Sequence, residues 1–126
     1  MTERELLQRT KQFALRIFTL VGALPRIIQG RAVASQLIRS GTSVAANYRA
    51  ACGARLKPEF VAKLGVVEEE ADESAFWLEL IIETRLLSAA KVRPLLIEAG
   101  EIVAMMASSK KTAAKSQIAN RKSAIQ

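Results

Sequence analysis

The sequence predicts an all-α protein, an antiparallel up-and-down four-helix bundle with a flexible basic C-terminal tail, on three observations. Apolar residues recur at three- and four-residue intervals along four stretches. Pro25, Pro58 and Pro94 punctuate the chain between them, where a fixed φ and a missing N–H stop or start a helix. Two of the three connections are only a few residues long, which favours antiparallel neighbours. The expected layout is one bundle domain over residues 1–109, with helices at about 3–23, 32–56, 58–89 and 94–109, followed by a mobile basic tail over residues 110–126.

The first helix opens on Thr2-Glu3-Arg4-Glu5, a capping box in which Thr2 caps the amides and Glu5 reaches back. Leu6, Leu7, Phe13, Ala14, Ile17, Leu20, Val21 and Leu24 make its inner face, and Arg4, Lys11 and Arg16 lie outside. Leu24-Pro25 ends it, because the residue before a proline is pushed out of the α region. A loop of residues 24–31 is expected next, with Gly30 as its hinge.

The second helix organises the chain. Val33, Leu37, Val44, Tyr48 and Ala51 form an apolar stripe, and Ala34, Gly41, Ala45 and Cys52 a flank of small residues where another helix can approach closely. On the other flank Gln36, Ser40, Ser43 and Asn47 form a narrow polar line, while Arg31, Arg39 and Arg49 point outward. The third helix begins at Pro58, with Glu59 at the positive end of its dipole. Phe60, Leu64, Val67, Ala71, Leu78, Ile81 and Ile82 face inward, Glu68, Asp72, Glu79 and Glu83 face outward, and Glu70 and Glu73 share a flank with Val66 and Trp77. The fourth helix, with Pro94 in its first turn, turns Leu95, Leu96, Ala99, Ile102, Val103 and Met106 inward and Glu98 and Glu101 outward.

Composition narrows the function. Cys52 is the only cysteine and there is no histidine, which removes intrachain disulfides, the usual zinc sites and the Glu-x-x-His metal pairs of bundle enzymes. No cofactor is expected. No apolar run approaches 18 residues and the N-terminus lacks the form of a signal peptide, so a cytoplasmic protein without membrane contact is the expectation. The net charge of +7 is uneven: +8 over residues 1–57, −6 over residues 58–109 and +5 over residues 110–126. These halves can neutralise one another within one chain, join neighbouring copies, or face a polyanion.

Two constellations stand out. Gln36, Ser40, Ser43 and Asn47 with Glu70 and Glu73 can form a buried hydrogen-bonded network, closed by Arg39, whose simplest role is to set helix register. Glu70 and Glu73 are also a conceivable acid–base pair, although no substrate pocket is marked. The cations Arg4, Lys11, Arg16, Arg31, Arg39 and Arg49, with Lys110, Lys111, Lys115, Arg121 and Lys122 of the tail, suit successive phosphates of RNA or DNA. Phe18, Phe60, Phe76 and Trp77 fall on or beside buried stripes, so structured RNA or duplex backbone is a better target than stacked single strands. Glu68, Asp72, Glu79 and Glu83 are candidates for a contact with the next subunit. A protein–protein scaffold with no nucleic-acid role is the alternative.

The run QLIRSGTSVAANYRAA from Gln36 to Ala51, then Glu59-Phe60-Val61, Lys63-Leu64 and EADESAFWLEL from Glu70 to Leu80, closely resembles the bacterial four helix bundle protein family, also called 23S rRNA-intervening sequence proteins. The likeness spans residues 13–106. Two positions depart from the family pattern: Ala50 replaces an acidic residue, with any salt bridge it would make, and Ser74 replaces a threonine. The resemblance implies an up-and-down subunit that assembles into a homopentameric ring and carries no established enzymatic activity. It also implies a link to nucleic acid, because distantly similar proteins serve as accessory factors of diversity-generating retroelements and bind it.

Overall fold

The computed structural model describes the chain through residue 125, with the side chains of 117, 120, 121 and 123–125 outside the description. Four helices run in chain order: α1 (Glu3–Gly22), α2 (Ile28–Cys52), α3 (Lys57–Glu83) and α4 (Ala89–Ile125). Among the described residues there is no strand. No helix there is long and apolar enough to cross a membrane. Each helix packs on the next, and α1 closes the bundle against α4 through a smaller contact.

The apolar stripes read from the periodicity meet in one core. Phe13 and Ile17 of α1, Leu37 and Val44 of α2, Leu64 and Leu78 of α3, and Ile102 and Met106 of α4 are all fully buried. Gly41 lets α1 and α2 approach, because a Cβ built there would lie 2.8 Å from Cγ1 of Ile17. Thr10, unmarked in the sequence, is buried as well; its hydroxyl donates to the Leu6 carbonyl at 2.8 Å, which removes the usual objection to a polar group in a core.

Several expected boundaries move, each for a local reason. Helix α2 starts at Ile28 rather than 32 and already contains Gly30. Gly30 is no hinge: it is buried, and a side chain there would run into the Pro25 carbonyl. The connection between α1 and α2 is therefore only five residues, Ala23–Ile27. Helix α2 stops at Cys52, capped by Gly53. Helix α3 ends at Glu83 rather than 89, because Arg85 takes a left-handed backbone with φ of 59° and Leu86 then bonds back to the Ile81 carbonyl.

Ser88 accepts from the Lys91 amide at 3.3 Å and starts α4 five residues early, so Pro94 falls inside the helix rather than in its first turn. One missing N–H near the end of a long helix is tolerated there. Helix α4 then continues through the segment expected to be a separate tail. It is held at Ala113, which is buried, and at Ser116, whose hydroxyl accepts from Lys57 Nζ at 3.2 Å.

Candidate nucleic-acid interface

The polar line of α2 divides once it is folded. Ser40 is fully buried, and its hydroxyl lies 2.9 Å from that of Ser74 on α3, which is buried too. The Ser74 hydroxyl is also 2.9 Å from the Glu70 carbonyl, so every hydroxyl proton has an acceptor inside the core. Asn47 turns back on its own helix and donates to the Ser43 carbonyl at 2.9 Å, and Gln36 is exposed. The expected single buried network is thus corrected: Gln36 lies outside it, and Ser43 and Asn47 bond locally because i to i+4 partners are nearer than α3. Ser74 is the member that was missed. Its signal was present, since it falls on the buried stripe between Ala71 and Leu78.

Glu70 and Glu73 meet Arg39 at the surface of this seam. Arg39 donates from Nη1 to Glu70 Oε2 at 2.9 Å and from Nη2 to Glu73 Oε2, and Trp77 Nε1 donates to the same Glu73 oxygen at 3.4 Å. These bonds, first that to Glu73, raise the Arg39 guanidinium above its ordinary value. Both carboxylates are engaged by a permanent cation, an arrangement that suits register rather than acid–base work. Cys52 is half-buried, and burial followed by the bond to Glu3 pushes its thiol up, away from the thiolate a nucleophile needs. Among the described residues no group of three or more acidic or cysteine side chains could hold a metal ion.

The basic residues also separate. Arg4, Lys11, Arg31 and Arg49 are exposed on the α1–α2 side of the bundle. Lys11 and Arg49 rim a groove of about 600 Å³ whose floor is Leu7, Ala14, Thr42, Ala45 and Ala46. Arg16, also exposed, belongs to the opposite flank of α1, close enough to α4 to help hold Glu98 ionised. Arg39 is occupied by Glu70 and Glu73, and Lys110 by Glu68 at 2.6 Å, so neither is free for phosphate. Lys111, Lys115 and Lys122 are exposed and recur at i, i+4 and i+11 on one outer line of α4. The expectation for the Arg121 side chain lies outside the described residues.

Up-and-down topology decides which of these cations meet. The start of α1, the end of α2, the start of α3 and the second half of α4 share one end of the bundle, so Arg4, Arg49, Arg55, Lys57, Lys111 and Lys115 lie toward that end, with Lys11 further along α1 across the groove from Arg49. The carboxylates there, Glu3, Glu5 and Glu59, sit in the first turns of α1 and α3, where the helix dipole attracts them. Neither Arg55 nor Lys57 was singled out in the sequence, since Arg55 lies between α2 and α3 and Lys57 is the first residue of α3.

On the acidic side, Glu68 meets Lys110 of its own chain, whereas Asp72, Glu79 and Glu83 are exposed on α3. Two aromatics read as on or beside buried stripes are open to solvent: Phe18 is 54% exposed two turns beyond Lys11 on α1, and Phe76 50% exposed one turn from Asp72 and Glu79 on α3. Each falls just outside the apolar stripe of its helix.

A model of the 23S rRNA-intervening sequence protein family matches residues 2–108. Comparison with curated proteins returns no match. Among solved structures, the chain is similar to a crystal structure from Bacteroides thetaiotaomicron, described as a protein of unknown function from the S23 ribosomal protein family. That protein is 30% identical, with a TM-score of 0.78, over 88% of this chain and 99% of the other.

Proposed function

Because the chain belongs to the 23S rRNA-intervening sequence protein family, we propose that it is a non-enzymatic, cytoplasmic nucleic-acid-binding protein that grips the phosphate backbone of structured RNA or DNA. The observation that carries this reading is the placement of Arg4, Lys11, Arg49, Arg55, Lys57, Lys111 and Lys115 in the half of the bundle where α1 and α3 start and α2 ends. Arginine and lysine on rigid helices about one turn apart match neighbouring phosphates, and each phosphate neutralised releases condensed counterions. The neighbouring structure's family name refers to the ribosome, which is consistent with RNA as the polyanion.

Affinity for a structured RNA hairpin is expected to fall steeply with salt, with a log–log slope of about −4 if some four to five phosphates are contacted. Raising salt from 50 to 200 mM then weakens binding by roughly 10²-fold. Replacing Lys11, Arg49, Lys111 and Lys115 with glutamine should flatten the slope by about 3 to 4, whereas Arg39→Gln should barely change it. A salt-independent or undetectable affinity overturns the proposal.

A second reading is self-assembly into a ring, supported by Leu15 and Phe18 exposed on the turns after Lys11 of α1 and Phe76 exposed between Asp72 and Glu79 of α3. Such paired patches suit a head-to-tail contact that closes by rotation. Converting Asp72, Glu79 and Glu83 together to lysine should reduce an assembly of five to single 13.8 kDa chains in light scattering. An unchanged mass would remove these residues from any subunit contact.

A further inference from the structure

At the basic end of the bundle a groove of about 580 Å³ opens between the first turns of α1 and α3 and the second half of α4. Its inner wall is apolar: Leu6 and Ala113 are buried, and Phe60 and Met105 are half-buried. One side carries hydroxyls at Ser109, Thr112 and Ser116, on successive turns of α4. Lys57 stands at the mouth, where its ammonium donates to Ser116 Oγ at 3.2 Å. Among the described residues no carboxylate lines it. Lys57 is the first residue of α3, whose N-cap Leu56 makes no side-chain hydrogen bond, so the positive end of the helix dipole lies beside the ammonium, with Glu59 exposed in the same turn.

We propose that this groove receives one extruded nucleotide of a structured RNA, with the base against Phe60 and Met105 and the 5′-phosphate at Lys57. The inference rests on the phosphate-binding reading above and adds to it a means of choosing between paired and bulged RNA. Three features select this ligand class. An aromatic ring with apolar neighbours accepts the face of a base. A row of hydroxyls, each able to donate and accept, suits the mixed edge of a base, whereas an anionic amphiphile needs polar partners only at its head. A cation at the positive end of a helix dipole suits a phosphate. The volume lies within the range of sites for small ligands.

The test uses the full chain with methyl-labelled methionine and free adenosine 5′-monophosphate, read by the NMR shift of the Met105 methyl. The expected result is a saturable shift with a midpoint of roughly 1–10 mM, absent with inorganic phosphate alone. Lys57→Gln should weaken it about tenfold, and Phe60→Leu should weaken it for the nucleotide. Ala113→Trp, which fills the inner wall, should abolish it, and its helical circular dichroism should be checked against wild type. A hairpin with a single-nucleotide bulge should then bind more tightly than its fully paired counterpart, a preference that Phe60→Leu removes. An unmoved Met105 methyl, or a shift indifferent to Lys57→Gln and Phe60→Leu, overturns the inference even where the salt-dependent hairpin binding is found. Hairpin binding that fails while the nucleotide shift appears overturns the backbone reading instead.

Discussion

Gly30→Ala is expected to destabilise the fold by about 2–3 kcal/mol, one of the two largest effects expected of any single change discussed here. A Cβ at this position would lie 2.0 Å from the Pro25 carbonyl oxygen and 3.1 Å from the carbonyl carbon. These are backbone atoms, so the clash cannot be relieved by turning a side chain. Either the first turn of α2 unwinds or the Ala23–Ile27 connection moves, which displaces Leu24 from the core. The intrinsic helix preference for alanine, about 1 kcal/mol, offsets only part of this.

Gly41→Ala should cost less, because its contact is the Ile17 side chain, although that residue is buried and β-branched. Gly65 and Gly100 provide the opposite sign. Nothing lies within 4 Å of a Cβ at either position, so alanine should stabilise each helix by about 0.5–1 kcal/mol. Urea unfolding followed by circular dichroism checks the series. A Gly30→Ala midpoint equal to wild type would mean that the connection does not run against Gly30 as described.

Arg9→Met is expected to remove about 2 kcal/mol at pH 7 and much of the pH dependence of stability with it. Arg9 clamps α1 to α4 at the weakest seam of the bundle. Its Nε donates to Glu98 Oε2 at 2.7 Å and its Nη2 to Glu98 Oε1 at 2.7 Å, with Glu101 as a further acceptor and Met105 Sδ 3.6 Å from Nη1. The Glu98 side chain is only 14% exposed, so losing the cation leaves a largely desolvated carboxylate. The Arg9 hydrogen bond outweighs burial and holds the Glu98 carboxyl below its ordinary value of 4.5.

A carboxyl whose pKa is lower folded than unfolded contributes stability above the unfolded value and loses it as pH falls through the folded one. The gap between wild type and Arg9→Met should therefore be full at pH 6–7, begin to close below about pH 4.5 and narrow further as pH falls through the lower folded value. A gap as wide at pH 2.5 as at pH 7 would show that the pair is not the source of the effect.

Much of the architecture was legible because the interior of a helix bundle imposes a period on the chain. The buried positions Val33, Leu37, Val44, Tyr48 and Ala51 are the stripe that the 3.6-residue repeat marks. Helix ends were read less well. At Gly30 the deciding contact is with the Pro25 carbonyl, and at Arg85 a non-glycine residue takes a left-handed backbone, which residue type alone does not announce. Polar partners across helices were the least legible. Arg9 carried no signal of its own, Ser74 entered only as a departure from a family threonine, and Arg39 was read both as an outward cation and as the residue closing a network with Glu70 and Glu73, because a partner on another helix depends on rotation and axial stagger.

Taken alone, the amino-acid order determined that this chain makes four amphipathic helices, that its second helix can be approached closely, and that basic and acidic segments alternate along it. Those properties follow from hydrophobicity, side-chain size and charge, which are local. Only the tertiary structure decided which charges remain available. It paired Arg39 and Lys110 with carboxylates of α3, turned Arg9 into a clamp, and brought Lys57 of one helix against Ser116 of another at the mouth of a groove. Charges and hydroxyls act over a few ångströms, and residues 59 positions apart reach that range only once the helices have packed.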